Sequence, residues 1–461
     1  MSLIATFLGA AIFQMLFLLG MSRILGPSEY TSYSLIMVTA TFATTIVFEP
    51  VRMVLVRYAG LIRRRVRQSL LTTIRRWTEV LVLIVVVTTA LIVAICLFAG
   101  EHTLAGAAAA FGIAIAANGL NDSVASYLRF ASDERSYIKF ILSRAACSGV
   151  VMLGSAALFR SGPIVLIAYS LSLLGIGFTF RARSWPDDHA RVRHHLALRF
   201  WKYGVSLALN SIGVNFAFAA SRAALKLIFN KDELGTIFLA LDLATRGVSV
   251  LGQAISTWSA RPVFDAMHRL GESGATLAFR RSSSIFLGVW GSLAVYGGAF
   301  SLVLPLFVLH SLPTESYRLV SVLNILALLL ISLKLYCSDI LLSSVDRPQE
   351  VAFSAAVFAA IVGLIALSAY LRPSVLAAFS LPIGAFAATG FYWFRNARLF
   401  AQGVSRNDAL FVAFKFAWLA GAALCVGHSI WVSTLAVLLA ASADLLWVYG
   451  FYTSRSAAAL R

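Results

Sequence analysis

Acidic residues are scarce in this chain. Its 461 residues hold 20 Asp+Glu against 38 Lys+Arg, and charged residues of both signs make up only 13%. Soluble domains carry about 25% charged and about 45–50% apolar residues. Here 60% are hydrophobic, which excludes a string of soluble domains despite the length. Cysteine is scarce too. Cys96, Cys147, Cys337 and Cys425 fall in apolar runs with no CxxC pair, so they read as small buried hydrophobes and not as a disulfide frame or metal site. The histidines show no metal-ligand spacing, and no metal or cofactor is expected. The Walker phosphate loop is missing, which excludes an ATP-binding cassette in this chain. No stretch between apolar runs is long enough to form a soluble domain.

What is present is apolar length. Hydropathy and punctuation mark fourteen candidate spans: 2–22, 33–56, 78–99, 104–128, 140–160, 163–181, 203–229, 235–258, 284–305, 319–343, 350–370, 374–394, 409–427 and 429–452. The fourth carries Asn118, Asn121 and Asp122, and the tenth carries Lys334 and Asp339. Residues 2–22 lack a basic lead and are long enough to span, so they are expected to stay as the first membrane helix and not to act as a secretory signal.

The basic excess then has a place. With the N-terminus cytoplasmic, Arg23, Arg160, Lys231, Arg318 and Arg372 lie on the outer side. Arg52, Arg222, Lys226, Arg246 and Lys334 lie within spans, and the remaining bases fall on the cytoplasmic side. That asymmetry follows the positive-inside rule and predicts both termini in the cytoplasm. It accounts for the high pI without nucleic acid as a partner. The runs Arg63-Arg64-Arg65-Val66-Arg67 and Arg191 to Lys202 read as topology anchors on anionic lipid.

The cytoplasmic connection after span 6, with Pro186, Asp187 and Asp188, reads as a hinge between halves. A weak internal repeat agrees. Span 1 leaves through Arg23-Ile24-Leu25-Gly26-Pro27-Ser28-Glu29-Tyr30, and span 7 leaves through Lys226-Leu227-Ile228-Phe229-Asn230-Lys231-Asp232-Glu233-Leu234-Gly235. Each is a base, an apolar stretch, a tight turn, then Glu opening the next helix. The expected fold is an all-α polytopic membrane protein of about fourteen transmembrane helices. They form two pseudo-symmetric six-helix lobes, 1–182 and 203–394, joined by a linker at 183–202, with a C-terminal helix pair and tail over 395–461. Halves of this kind build the central site of many secondary transporters.

A charge in hydrocarbon costs about 2.5–3.5 kcal/mol on insertion scales, so charges inside spans are functional candidates. Arg246 lies near the middle of span 8 with Asp242 one turn away. This reads either as a self-neutralising i,i+4 pair or as an arginine offered to an anion. Arg222 and Lys226 are four apart and repel each other, which points to a shared polar cavity, although Lys226 also has the option of snorkelling. Glu49-Pro50-Val51-Arg52 places an acid and a base around a proline kink. Arg23 marks the outer mouth of span 1. Asp339, near Lys334, is a candidate for ion coupling or for plain pairing. Arginine's planar fork matches phosphate oxygens and keeps its charge. A cavity for organic cations is acidic and aromatic instead.

The stretch Ser22-Arg23-Ile24-Leu25-Gly26-Pro27-Ser28-Glu29-Tyr30, then Tyr33-Ser34-Leu35, resembles the N-terminal pattern of Wzx-type polysaccharide and O-antigen flippases. These belong to the multidrug/oligosaccharidyl-lipid/polysaccharide exporter (MOP) superfamily. Asp232-Glu233-Leu234-Gly235 resembles the corresponding turn in the second half. Thr31 stands where the family has glycine, and Ser221 where it often has an acid.

The resemblance implies two lobes with spans 1, 2, 7 and 8 lining a cleft. It also implies a cargo, an undecaprenyl-pyrophosphate-linked oligosaccharide flipped across the bacterial inner (cytoplasmic) membrane for exopolysaccharide or O-antigen export. Polysaccharide polymerase and chain-length machinery would be partners. On this reading Arg52, Arg222, Lys226, Arg246 and Arg23 bind the cargo, while Glu49, Asp242 and Asp339 tune charge or couple an ion. There are no catalytic residues, because the chain is read as a transporter and not an enzyme. The alternatives are a multidrug and toxin exporter of the same superfamily and a membrane-embedded polysaccharide polymerase or ligase. Four bases against two acids in spans 2, 7 and 8 speak against the first. The acidic, basic and histidine side chains of the outer loop 306–318 are only His310, Glu315 and Arg318, which speaks against the second.

Overall fold

In a computed structural model, the described residues are 3–58, 64–131, 134–184, 194–249, single stretches between 252 and 283, 315–344 and 348–403. Every element among them is helical. The expected spans 284–305, 409–427 and 429–452 lie outside the described residues, as does the end of 235–258.

Helix α1 (Leu3–Tyr58) holds the first two expected spans. At about 1.5 Å per residue it is ~84 Å long, against ~30 Å of hydrocarbon, so it must be two spans. The sequence predicts a ten-residue connection there. In the structure the break narrows to Gly26, at φ 74° and ψ 167°. That positive φ is open to glycine alone among common residues. Pro27 follows it, where a missing N–H costs the new helix nothing.

Then come α2 (Arg64–Phe98), α3 (His102–Ala131), α4 (Glu134–Phe159), α5 (Gly162–Ser184) and α6 (His194–Leu225). A helix over 231–249 is α7. The polar load of α3 does not break it, and two of its residues find partners. Asn121 Nδ2 donates to the carbonyls of Ala117 and Leu173, both at 2.8 Å, and Asp122 pairs with Arg144 at 3.3 Å. The N-terminus of α5 receives a carboxylate. Gly162 N–H donates to Glu29 Oε2 at 2.8 Å, where a helix favours negative charge.

Further on lie α8 (Glu315–Leu333), a π-helical turn (Lys334–Ser338), α9 (Asp339–Ser344), α10 (Pro348–Leu371), a 3-10 turn (Val375–Phe379), α11 (Ser380–Arg395) and α12 (Ala397–Gly403). The expected span 319–343 is thus two α-segments joined by a π-turn. The expected span 374–394 opens on a 3-10 turn.

Among the described residues, eight helical stretches are long and apolar enough to cross a membrane. One of them, Gly9–Leu55, includes the break at Gly26. On α2 the large side chains Leu83, Val87, Leu91 and Ile95 point outward, as lipid-facing residues do. Helix α6 is not among the eight. It carries Ser211, Asn215, Ser221 and Arg222.

Contacts divide the chain into two compact units. One is Met1–Ala254 with Arg347–Gly384, the other Ile255–Asp346 with Ala385–Arg461. This division differs from the six-and-six division by repeat. Within the first unit α6 packs on both α1 and α10, so span 7 groups with the N-terminal helices. The first unit also packs α1 against α3, α4 and α5.

Candidate functional site

The second half of α1 and α6 lie side by side along a polar seam within the first unit. Ser34 meets Arg222, Thr45 Oγ1 accepts from Asn215 Nδ2 at 3.1 Å, and Ser211 Oγ donates to Glu49 Oε1 at 3.1 Å. Numbers rise on α1 as they fall on α6, so the helices run antiparallel. From Ser34 to Glu49 the seam is ~22 Å long at helical rise, most of the hydrocarbon thickness.

Two glycines let backbones close on it. A Cβ at Gly204 would strike the Pro50 carbonyl, and one at Gly235 would strike the Pro27 carbonyl. Gly235 and Pro27 come from the two repeated turns, which therefore meet each other. Thr31 Oγ1 also reaches the Lys231 carbonyl at 3.2 Å.

At the Pro27 end the seam closes on a charged cluster. Arg222 is 7% exposed. Its Nη2 donates to Asp242 Oδ1 at 2.5 Å and its Nη1 donates to the Ser34 hydroxyl. Ser34 in turn donates to Asp242 Oδ2 at 2.7 Å, and Tyr30 donates to the same oxygen at 2.7 Å. The Arg222 guanidinium lies 5.2 Å from the ring centre of Phe238, a cation–π distance. Arg246 is half-buried, with Tyr169, Tyr33, Asp242 and Tyr30 as its electrostatic neighbours. The ion pair that Asp242 makes is with Arg222, at 2.5 Å, across the turn from α6, while Arg246 lies one helical turn further along α7.

At the other end Glu49 is buried and pairs with Arg52 at 2.5 Å. That is the pair expected around Pro50, here extended by Ser211. Lys226 does not join Arg222. Helix α6 ends at Leu225, and Lys226 is exposed on the following turn. Arg23 is exposed as well.

Asp339 belongs to the second unit. It accepts from Lys334 Nζ at 3.1 and 3.2 Å and from the Tyr392 hydroxyl at 2.7 Å. Lys334 is 3% exposed and Asp339 6%. The π-turn between them is the kind of helix defect that often accompanies functional sites. Trp393 Nε1 donates to Ser338 on that turn at 3.2 Å.

Sequence reasoning missed Tyr30, Ser34, Thr45, Ser211, Asn215 and Tyr392. A signal existed on α6, where Ser211, Asn215 and Arg222 repeat at four and seven residues and so share one face. Among the described residues no group of three or more His, Cys, Asp or Glu is placed to hold a metal ion.

No family model and no curated protein sequence matches the chain. Solved structures do. A lipid II flippase MurJ in an inward closed conformation aligns at TM-score 0.65 with 11% identity, covering 98% of both chains. An inward-facing multidrug resistance MATE family transporter of the MOP superfamily aligns at TM-score 0.62 with 10% identity, covering 87% of this chain and 99% of that one. A MOP superfamily transporter from Pyrococcus furiosus, described as having a binding pocket of reversed polarity, aligns at 0.58 with 12% identity, covering 87% and 96%. At such identities the likeness is one of fold. The chain has the helical architecture of MOP superfamily transporters.

Proposed function

We propose that this chain is a secondary transporter that flips a pyrophosphate-linked saccharide lipid across the bacterial inner membrane by alternating access, as Wzx-type flippases do. The observation that carries the reading is the pair Arg222 and Arg246 with Asp242 beside them, set inside a helix bundle of membrane dimensions. Two guanidinium groups against one carboxylate leave a positive site, and a phosphate matches the guanidinium fork. The MurJ structure that the fold resembles is named for a lipid-linked cargo.

In this reading Arg222 and Arg246 hold the pyrophosphate and Arg52 serves the far end of the seam. Exposed Arg23 and Lys226 lie at the outer mouth, where the exported anion leaves. Glu49 and Asp242 tune these bases, and Asp339 in the second unit is an ion-coupling candidate. The lobes 1–182 and 203–394 would rock about the linker 183–202, with 395–461 appended and both termini cytoplasmic. Polymerase and chain-length machinery would act on the cargo afterwards.

A second reading, a multidrug exporter, draws on Asp242 with Tyr30, Tyr33 and Tyr169, since a carboxylate in an aromatic wall suits an organic cation. The MATE structures that share the fold carry multidrug names.

The test is thermal stabilisation of the purified protein, since a ligand that binds only the folded state raises apparent stability. Polyprenyl-pyrophosphate oligosaccharide is compared with a lipophilic drug cation and plain phospholipid. The flippase reading expects stabilisation by the pyrophosphate lipid only. It also expects loss of that effect and of liposome flipping in Arg246→Ala, with insertion intact. Stabilisation by the cation alone would select the exporter.

A further inference from the structure

Arg222 does not give Asp242 its full fork. One nitrogen, Nη2, takes Asp242 Oδ1 at 2.5 Å, while Nη1 takes the Ser34 hydroxyl. Ser34 donates its own hydrogen bond to Asp242 Oδ2, and Tyr30 donates to the same oxygen. The three groups form a closed ring of Arg222, Ser34 and Asp242. A phosphate approaching this face of the guanidinium fork competes with the carboxylate and the hydroxyl for the same two nitrogens. The ring therefore occupies a phosphate slot with the chain's own atoms.

Charge makes the same point. The ionisable groups around Asp242 are Arg222 from α6, Arg246 from its own α7, and Tyr30 and Tyr33 from α1; Tyr169 from α5 faces Arg246. Formally the cluster sets two guanidinium groups against one carboxylate. A pyrophosphate diester brings about two negative charges. Two arginines balance it only if Asp242 gives up its charge. A bare carboxylate left beside the incoming phosphates would be repelled by them in a poorly screened setting. The Asp242 side chain keeps 18% exposure.

We propose that Asp242 is a placeholder anion. It holds Arg222 while the site is empty, is displaced by the cargo's phosphates, and takes up one proton from the adjoining water as they bind. The proton returns to water when the cargo leaves and the Arg222–Asp242 pair forms again. No bond other than O–H forms or breaks. This rests on the anionic-cargo reading and adds to it a coupling between cargo and proton.

The experiment is calorimetric titration of the full-length protein in detergent with polyprenyl pyrophosphate, in two buffers of different ionisation enthalpy. Uptake of about one proton per lipid is expected, with affinity rising up to about tenfold per pH unit on acidification. Asp242→Asn is expected to bind at least as tightly as wild type near neutral pH, with proton uptake and pH slope abolished. Tyr30→Phe keeps the carboxylate but removes one donor holding it, and is expected to bind the lipid several-fold tighter with uptake retained. It serves if the asparagine variant does not fold. Wild-type binding without proton uptake would overturn the placeholder and leave the cargo reading standing, as would an unchanged slope in Asp242→Asn. Absence of wild-type binding to the pyrophosphate lipid, with binding of a lipophilic cation, would overturn both.

Discussion

Lys334 and Asp339 show what a buried charge demands of its surroundings. Each lies in the same apolar stretch, and each has the other as a partner at 3.1 Å. Tyr392 adds a hydroxyl to Asp339 and a ring face 4.9 Å from the Lys334 ammonium. Removing one partner of such a pair costs about 3–5 kcal/mol, whereas replacing both with apolar residues is often neutral. Lys334→Met alone is therefore expected to lower thermal stability in detergent sharply, and Lys334→Met with Asp339→Leu to recover most of it. Near-additive losses in the double variant would mean the two charges are held by other groups. The Arg222–Asp242 pair belongs to a larger set in the same way, since Asp242 also serves Ser34 and Tyr30 on α1. The sequence marks Arg222, Arg246 and Asp242 as intramembrane charges. It does not mark Tyr30 and Ser34, more than 200 positions before Asp242, because hydroxyls at that density are ordinary in any helix.

At the scale of elements, α1 and α6 are joined by paired polar side chains, with aromatic pairs beside them. Phe42 and Phe216 lie 5.6 Å apart edge to face, and Trp77 on α2 meets Trp201 on α6 at 5.5 Å. Polar contacts inside a membrane are worth only about 0.6 kcal/mol on average in double-mutant measurements, so a seam of a few such pairs is separable. Alternating access requires that separation. Thr45→Cys with Asn215→Cys replaces a pair whose side-chain atoms are 3.1 Å apart. Short-span crosslinking of that pair is expected to stop transport reversibly, with activity restored on reduction. Full activity in the crosslinked protein would mean the seam never opens. The close packing depends on Gly204 and Gly235, and this was only partly legible. The repeat places Gly26-Pro27 and Gly235 in matching turns, but nothing in one dimension says that the turns touch.

On the scale of the whole molecule the bilayer explains the distribution of side chains. Large apolar residues such as Leu83, Leu91, Leu158 and Leu364 face outward, while Asn121, Glu49, Arg222 and Lys334 are buried. That inversion of the soluble pattern is what a hydrocarbon solvent selects, since unpaired polar groups there cost several kcal/mol. By the positive-inside rule the basic runs would set orientation. Reporter fusions are expected to be cytoplasmic at both termini and in 191–202, and extracytoplasmic in 306–318. An extracytoplasmic C-terminus would reverse the assigned sidedness.

The sequence by itself determined the helical membrane class, most span positions among the described residues and which intramembrane charges to examine. Apolar length and charge bias are local properties, summed over about 20 residues at a time. Only the tertiary structure decided which charge answers which. Asp242 takes Arg222 across a turn, Asp339 takes Tyr392 from a distant helix, and α6 packs on α1 and α10. Those choices depend on which helix faces come together, and pairing energies of this size arise only once the backbone has brought the faces into contact.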